Sequence, residues 1–345
     1  MAKKLRVGFV GAGGIAQGAH FPGWQKLPDV EIYALSDINA DTAKAAAEKA
    51  GVPAERTFAD WRDMLKLAEL DIVDVCTPNA FHKAPTVAAF KAGKHVIVEK
   101  PIAVSAAEAR EMVAAGKAAK KLFMVAQSVR FTKEVQTIRH WVDEGLLGKI
   151  YWARCTLLRR RGVPSWGVFA EKDKSGGGPV YDLGVHILDS ALFLMGFPKP
   201  TAVSASTYTV LGNRPTVMKH NYRKFDVEDF AAALIKFDNG ATISLETSWA
   251  LNVPEETFNV TVCGDKGGAQ MNPLTLVQEE HDCFLTSQPH YLTDVASHSE
   301  EIRAFVEAIR SGAKSPVPGE QALITQTILD AMYKSSATGK EVTTR

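Results

Sequence analysis

The sequence predicts an α/β protein in two parts: a doubly wound parallel sheet, then an α+β half built on a mostly antiparallel sheet. Three observations predict it. Short β-branched runs alternate with Ala-rich helical patterns through 5–126, a glycine-rich turn follows the first run directly, and after Gln127 the rhythm changes to longer strand-like segments. At roughly 150 residues per domain, a chain of 345 residues accommodates two, and the change of rhythm divides it at 1–126 and 127–345.

In order along the chain, 5–10, 30–35, 72–76, 95–98 and 122–126 are short apolar runs of the kind that form buried parallel strands. Between them, 41–50, 83–92 and 105–120 carry helical patterns, and Ser105 with Glu108 has capping-box spacing. Such alternation implies right-handed crossovers and a sheet covered on both faces, with ligands bound beyond the carboxyl ends of the strands. Beyond a helical stretch at 132–144, the segments 150–158, 202–210, 230–237, 241–249 and 257–263 read as strands, and Asn239-Gly240 supplies hairpin turn chemistry. A helix over 179–194 follows Gly176-Gly177-Gly178, and helical patterns at 299–310 and 320–335 close the chain.

Composition excludes several function classes. Forty Lys plus Arg against 39 Asp plus Glu leave a net charge of +1, with no field to gather nucleic acid or an anionic membrane. The longest uncharged stretch, 7–25, is interrupted by six glycines, Gln17, His20 and Pro22, so it is folded structure rather than a membrane helix or a secretory signal. Cys76, Cys155, Cys263 and Cys283 lie far apart with no C-x-x-C spacing, which fits reduced thiols and a cytoplasmic protein.

The candidate nucleotide site comes from Gly11-x-Gly13-Gly14-Ile15-Ala16, a G-x-G-x-x-A turn in which glycines let backbone N–H groups approach a pyrophosphate. The second strand runs into Ser36-Asp37, where a carboxylate can accept bonds from a ribose diol and repel a 2′-phosphate, favouring NAD over NADP. Thr77-Pro78-Asn79 and Glu99-Lys100-Pro101 follow the next long strands on the same edge. There the Lys100 ammonium can bond a substrate hydroxyl and stabilise a developing alkoxide.

In the second half, Asp182, His186 and Asp189 at i, i+4 and i+7 give a helix one polar face. A carboxylate one turn from a histidine can orient it as a general base for an alcohol proton. A core histidine satisfied by local carboxylates, a metal ligand and an anion pocket are the competing readings. A metal would want three or four converging ligands and no second His-rich segment is evident, so no metal is expected, although His281, His290 and His298 keep that reading open. Arg154, Arg159, Arg160 and Arg161 precede a loop over 162–178 carrying Trp166 and Phe169. They form either a solvated strand end or an overhang in which Arg161 grips an anionic group and Trp166 stacks on a sugar.

Taken in order, G-x-G-x-x-A, Thr77-Pro78-Asn79-x-x-His82, Gly93-Lys-His-Val-x-x-Glu99-Lys100-Pro101 and Gly-Gly-Gly-x-x-x-Asp182-x-Gly-x-His186-x-x-Asp189 resemble the Gfo/Idh/MocA family of glucose-fructose oxidoreductase and inositol dehydrogenase, over nearly the whole chain. The resemblance implies a Rossmann domain joined to a domain whose large open sheet supplies a homodimer or homotetramer interface. It implies an NAD(P)-dependent enzyme that oxidises a hydroxyl of a sugar, cyclitol or derivative by hydride transfer to nicotinamide. It puts the catalytic lysine on Lys100, the acid/base histidine on His186 and the aspartate preceding it on Asp182. It also implies cofactor contacts from Asn79, His82, Glu99 and Gln127, and a substrate contact from Arg130. Two other readings stay open: an NAD-dependent glycoside hydrolase working through a transient keto-sugar, and a non-catalytic NAD-binding regulator, which would have no use for Lys100 and His186.

Overall fold

The computed structural model describes residues 4–344, which divide into two packed units, 4–128 with 296–323 and 129–295 with 324–344. Among the described residues no helix is long and apolar enough to cross a membrane.

The first unit begins β1 (Leu5–Val10), α1 (Phe21–Gln25), β2 (Val30–Ser36), α2 (Ala40–Ala50), β3 (Thr57–Phe58), α3 (Trp61–Met64) and β4 (Ile72–Val75). It continues with α4 (Lys83–Lys91), β5 (His95–Val98), α5 (Ala106–Ala119) and β6 (Phe123–Val125). The strands form one parallel sheet in the order β3-β2-β1-β4-β5-β6, so the order reverses at β1 and β4. Val7, Phe9, Ile72, Val75, Val96 and Val98 are essentially inaccessible, as covering both faces requires, and each contributes about 1.5–3 kcal/mol by leaving water. The start of α5 is capped by Ser105, whose Oγ accepts the Glu108 N–H at 3.2 Å.

The second unit contains β7 (Ile150–Leu158), β8 (Pro200–Tyr208), β9 (Phe230–Phe237), β10 (Thr242–Ser248), β11 (Thr257–Gly264), β12 (Gly267–Gln270), β13 (Thr275–Glu280), β14 (Cys283–Ser287) and β15 (Val342–Thr343). Its helices begin with α6 (Lys133–Asp143), α7 (Lys172–Ser175) and α8 (Val185–Leu194). The nine strands form one open sheet, β14-β13-β12-β11-β7-β10-β9-β8-β15, antiparallel except for the β7–β10 pair. Ala153, Leu245, Ile235 and Val203 line a fully buried face, where Cys155 Sγ donates to the Ile187 carbonyl of α8 at 3.4 Å. On the opposite face, the register puts Thr261, Arg154, Ser244, Leu234 and Ser204 in one row across five strands.

The chain then returns to the first unit through α9 (Ser297–Ser311), ahead of α10 (Gly319–Thr338). A division at 126/127 therefore misses one thing: residues 296–323 pack with the first unit rather than with the half that precedes them. The reason is an apolar stripe at i, i+3 and i+4, with Ile302 and Phe305 fully buried and Val306 nearly so. α9 rests on α1, where a Cβ on Gly23 would overlap the Ile302 side chain, and Arg310 pairs with Asp29 at its far end.

Candidate active site

In the first unit the glycine turn is built for close approach. Gly11 has φ +86°, and a Cβ there would lie 2.8 Å from the Cys76 carbonyl oxygen. Around Gly13 and Gly14 a Cβ would meet nothing within 4 Å, leaving their backbone open. Ala16 is fully buried, half-exposed Ile15 faces outward, and the chain enters a π-helical turn over Ala16–His20 before α1. Asp37 ties the end of β2 to this turn: its Oδ2 accepts the Ala12 N–H and its Oδ1 the Asn39 N–H, both at 2.9 Å. Each oxygen keeps a lone pair for a further donor.

Thr77 and Pro78 follow β4 and lead into the short turn Asn79–Phe81. Thr77 Oγ1 and, after β6, Gln127 Oε1 are buried and accept or donate no hydrogen bond within the described chain. Buried polar atoms left so are costly unless a ligand or water meets them. With the cradle at Gly11 and the open backbone at Gly13 and Gly14, these two atoms fit a dinucleotide along the carboxyl ends of β1, β4 and β6.

His82, expected as a cofactor contact, turns its ring between two loop carbonyls. It is fully buried between the Pro101 and Thr77 carbonyls, each 2.9 Å from one ring nitrogen, and its single N–H donates to one of them. Burial pushes its pKa down. Glu99 is likewise turned inward: Oε1 lies 2.9 Å from His20 Nε2 and Oε2 accepts the Lys100 N–H at 3.0 Å. Lys100 is half-buried, at the cis Lys100–Pro101 bond.

Beneath these loops lies a cluster that sequence reasoning missed. His20 Nδ1 is 2.8 Å from Asp74 Oδ2, which also accepts from Trp24 Nε1 at 2.8 Å, while Cys76 Sγ donates to Asp74 Oδ1 at 3.3 Å. Against burial, which disfavours a charged ring, Asp74 holds the His20 pKa well above its ordinary value. Against burial again, His20 and the Lys100 ammonium hold the Glu99 carboxyl down at about 2. His20, Asp74 and Cys76 present ligand atoms within 4.8 Å of one another, the spacing of a metal site. Both ring nitrogens already face carboxylates, however, and burial pushes the Cys76 thiol far up, so the cluster is a hydrogen-bonded relay. His20 lies 54 residues from Asp74 and 79 from Glu99, beyond any local signal.

In the second unit the expected helix over 179–194 starts differently. Val180–Gly184 is a π-helical turn and only then does α8 begin, a distortion common at functional sites. Just ahead of it Gly177 and Gly178 pack closely, since a Cβ on either would overlap Tyr333 Oη or the Glu228 carbonyl oxygen. Buried Glu228 grips the turn: its carboxylate accepts the Gly178 and Val180 N–H groups, each at 3.0 Å, and Tyr333 Oη at 2.9 Å. Burial raises its pKa. Asp182 sits within the π-turn and accepts Trp249 Nε1 at 2.9 Å, and half-buried His186 lies on the first turn of α8.

Arg130 and Arg161, expected as substrate ligands, both engage groups of the chain itself. Arg130 is 2% exposed, and its Nε and Nη2 donate to the two oxygens of Asp189 at 2.6 and 2.7 Å, with its guanidinium 4.8 Å from the Phe197 ring centroid. Arg130 and Asp189 thus form a buried, bidentate ion pair. Arg161 commits Nη1 to the Arg160 and Leu251 carbonyls and Nη2 to Asn252 Oδ1 at 2.7 Å, closing a surface loop. Trp166 is exposed, edge-on to Phe169.

Comparison with known proteins agrees with this architecture. Residues 5–127 match the model of an oxidoreductase family with an NAD-binding Rossmann fold, and residues 139–344 match that family's C-terminal alpha/beta domain. The D-glucoside 3-dehydrogenase of Escherichia coli K12 is 35% identical over 342 residues, covering 98% of this chain and 97% of the relative. The crystal structure of an oxidoreductase domain protein from Kribbella flavida superposes with a TM-score of 0.89 at 26% identity, covering 99% of this chain and 100% of that one. Levoglucosan dehydrogenase in complex with NADH superposes with a TM-score of 0.87 at 24% identity, covering 99% and 100%, a likeness of fold. With both family models matched over nearly its whole length, the chain is an NAD-binding oxidoreductase of the Gfo/Idh/MocA family.

Proposed function

We propose that this protein is an NAD-dependent dehydrogenase acting on a secondary hydroxyl of a sugar, a cyclitol or a glycoside. The observation that carries the reading is the pairing of a dinucleotide cradle, with its unmet Thr77 and Gln127 atoms, and an intact Lys100 at the end of the neighbouring strand β5. The 35% identity to a D-glucoside 3-dehydrogenase supports a glycoside-like substrate.

When bound, NAD supplies the nicotinamide that takes up the hydride. Gly11, Gly13 and Gly14 hold the diphosphate, Asp37 the adenosine ribose, and Thr77, Pro78, Asn79 and Gln127 the nicotinamide half. Lys100 donates to the substrate hydroxyl oxygen and stabilises its developing negative charge. His186 takes the hydroxyl proton, oriented by Asp182, whose carboxylate is itself fixed by the Trp249 indole. Run backwards, the same groups reduce a ketone. Trp166 presents an exposed aromatic face of the kind that stacks on a sugar ring. Copies of the chain associate through the outer face of the nine-stranded sheet, where Leu234 lies between small Ser204 and Ser244 and Phe230 pairs with Tyr208. Four unbridged cysteines fit the reducing cytoplasm.

The test is NADH formation across glycosides, free sugars, cyclitols, uronates and nucleotide sugars. Stoichiometric NADH with one class identifies the dehydrogenase; glycoside cleavage with no net NADH identifies the redox-assisted hydrolase instead. Lys100→Ala and His186→Ala should each lose about 10²-fold or more in kcat while NAD affinity stays near wild type. Wild-type turnover in both would overturn the catalytic assignment.

A further inference from the structure

The Glu99-Lys100 loop is held from below by a residue far away in sequence. His20 sits in the π-helical turn that follows the glycine motif, and it is completely buried. Its two nitrogens face two different carboxylates, Asp74 at the end of β4 and Glu99 just past β5, at 2.8 and 2.9 Å. Both partners are acceptors, so the ring must donate from both sides, which only the imidazolium does. Asp74 is anchored in turn by the Trp24 indole and the Cys76 thiol. Glu99 passes the constraint on, its second oxygen accepting the Lys100 backbone N–H at 3.0 Å. Two further groups face this relay from α9: His298, whose ring centroid lies 6.4 Å from that of His20, and the fully buried Glu301.

We infer that His20 is a positioning residue for hydride transfer, clamping Asp74 to Glu99 so that Glu99 fixes the backbone of Lys100 and hence where its ammonium meets the substrate oxygen. The inference rests on the reading of Lys100 as the group that polarises that oxygen. A chain of charged hydrogen bonds inside a dry interior is stiff, because each link is about twice as strong as a neutral one and loses its partner outright if it shifts. Such stiffness matters here because displacing a reacting group by about 1 Å costs about 10²-fold in rate.

The test compares His20→Gln, Glu99→Ala and Glu99→Gln with Lys100→Ala in the full-length enzyme, at a temperature where all are folded. It follows kcat, substrate KM, NADH affinity by fluorescence, and the deuterium isotope effect on kcat with substrate labelled at the oxidised carbon. His20→Gln and Glu99→Ala are expected to lower kcat about 10- to 100-fold, with KM and NADH affinity nearly unchanged and a raised isotope effect, since hydride transfer itself has slowed. Glu99→Gln keeps one oxygen, enough for the Lys100 N–H or for His20 but not for both, and should recover part of the loss. Folded His20→Gln with wild-type kcat and isotope effect, alongside an inactive Lys100→Ala, would overturn the relay and leave the role of Lys100 standing. Wild-type turnover in Lys100→Ala would overturn that role itself. If His20→Gln does not fold, the Glu99 pair decides: equal losses in Glu99→Ala and Glu99→Gln overturn the proposal.

Discussion

Replacing Arg130 separates a structural ion pair from a substrate ligand. The fork to Asp189 makes two bonds, at 2.6 and 2.7 Å, and the side chains are 2% and 1% exposed. Arg130→Met removes the cation and leaves Asp189 charged in a dry site beside Phe193 and Phe197. Two charges about 4 Å apart at an effective dielectric near 20 interact by about 4 kcal/mol, in line with the 3–5 kcal/mol typical when one partner of a buried pair is removed. Urea unfolding of Arg130→Met should therefore show a loss of about 3–5 kcal/mol. The double variant Arg130→Met/Asp189→Leu should recover most of it, because no stranded charge remains. Arg130→Lys gives the sharper contrast, since an ammonium cannot reproduce the bidentate geometry. If Arg130→Lys unfolds like the wild type yet raises substrate KM more than tenfold, Arg130 is a substrate ligand and the fork argument is wrong.

Gly11→Ala forces an L side chain into φ +86° against the Cys76 carbonyl, so NAD affinity measured by titration calorimetry should fall at least about tenfold along with stability. Asp37→Ala removes the carboxylate expected to meet the ribose diol, and the ratio of kcat/KM for NAD over NADP should shrink; an unchanged ratio would refute that role. Glu301 offers a pH prediction. Burial holds its folded pKa well above the ordinary 4.5, so it is protonated in the fold and ionised in the unfolded chain, and stability falls as pH rises from that ordinary value toward the folded one. In urea unfolding, Glu301→Gln should gain on the wild type by up to about 1.4 kcal/mol per pH unit across that window, whereas a pH-independent difference would refute it.

Much of the fold was legible because burial writes itself locally. β7 and β9 run over the expected residues, 150–158 and 230–237, since alternation and β-branching are properties of the segment itself. The strands β12 to β14 gave no such signal: β12 is Gly-Gly-Ala-Gln, and all five residues of β14 are exposed. At the candidate site the loops are legible in the sequence, but the hydrogen-bond partners of their side chains are not. Arg130, His82 and Glu99 stand where ligands were expected, yet their partners Asp189, Pro101 and His20 lie 59, 19 and 79 residues away, and only the folded chain brings them together. Glu228 escaped notice for the same reason, its grip on Gly178 spanning 50 residues.

The return of α9 to the first unit has a consequence for synthesis in the cell. When residue 128 leaves the ribosome, the parallel sheet is complete in sequence but lacks the helix that covers α1 with Ile302 and Phe305. At about 5–20 residues per second, residues 129–295 take roughly ten to thirty seconds to emerge, during which that apolar surface stays uncovered. A fragment ending at 128 leaves that surface permanently uncovered and should be far less soluble than the full-length protein.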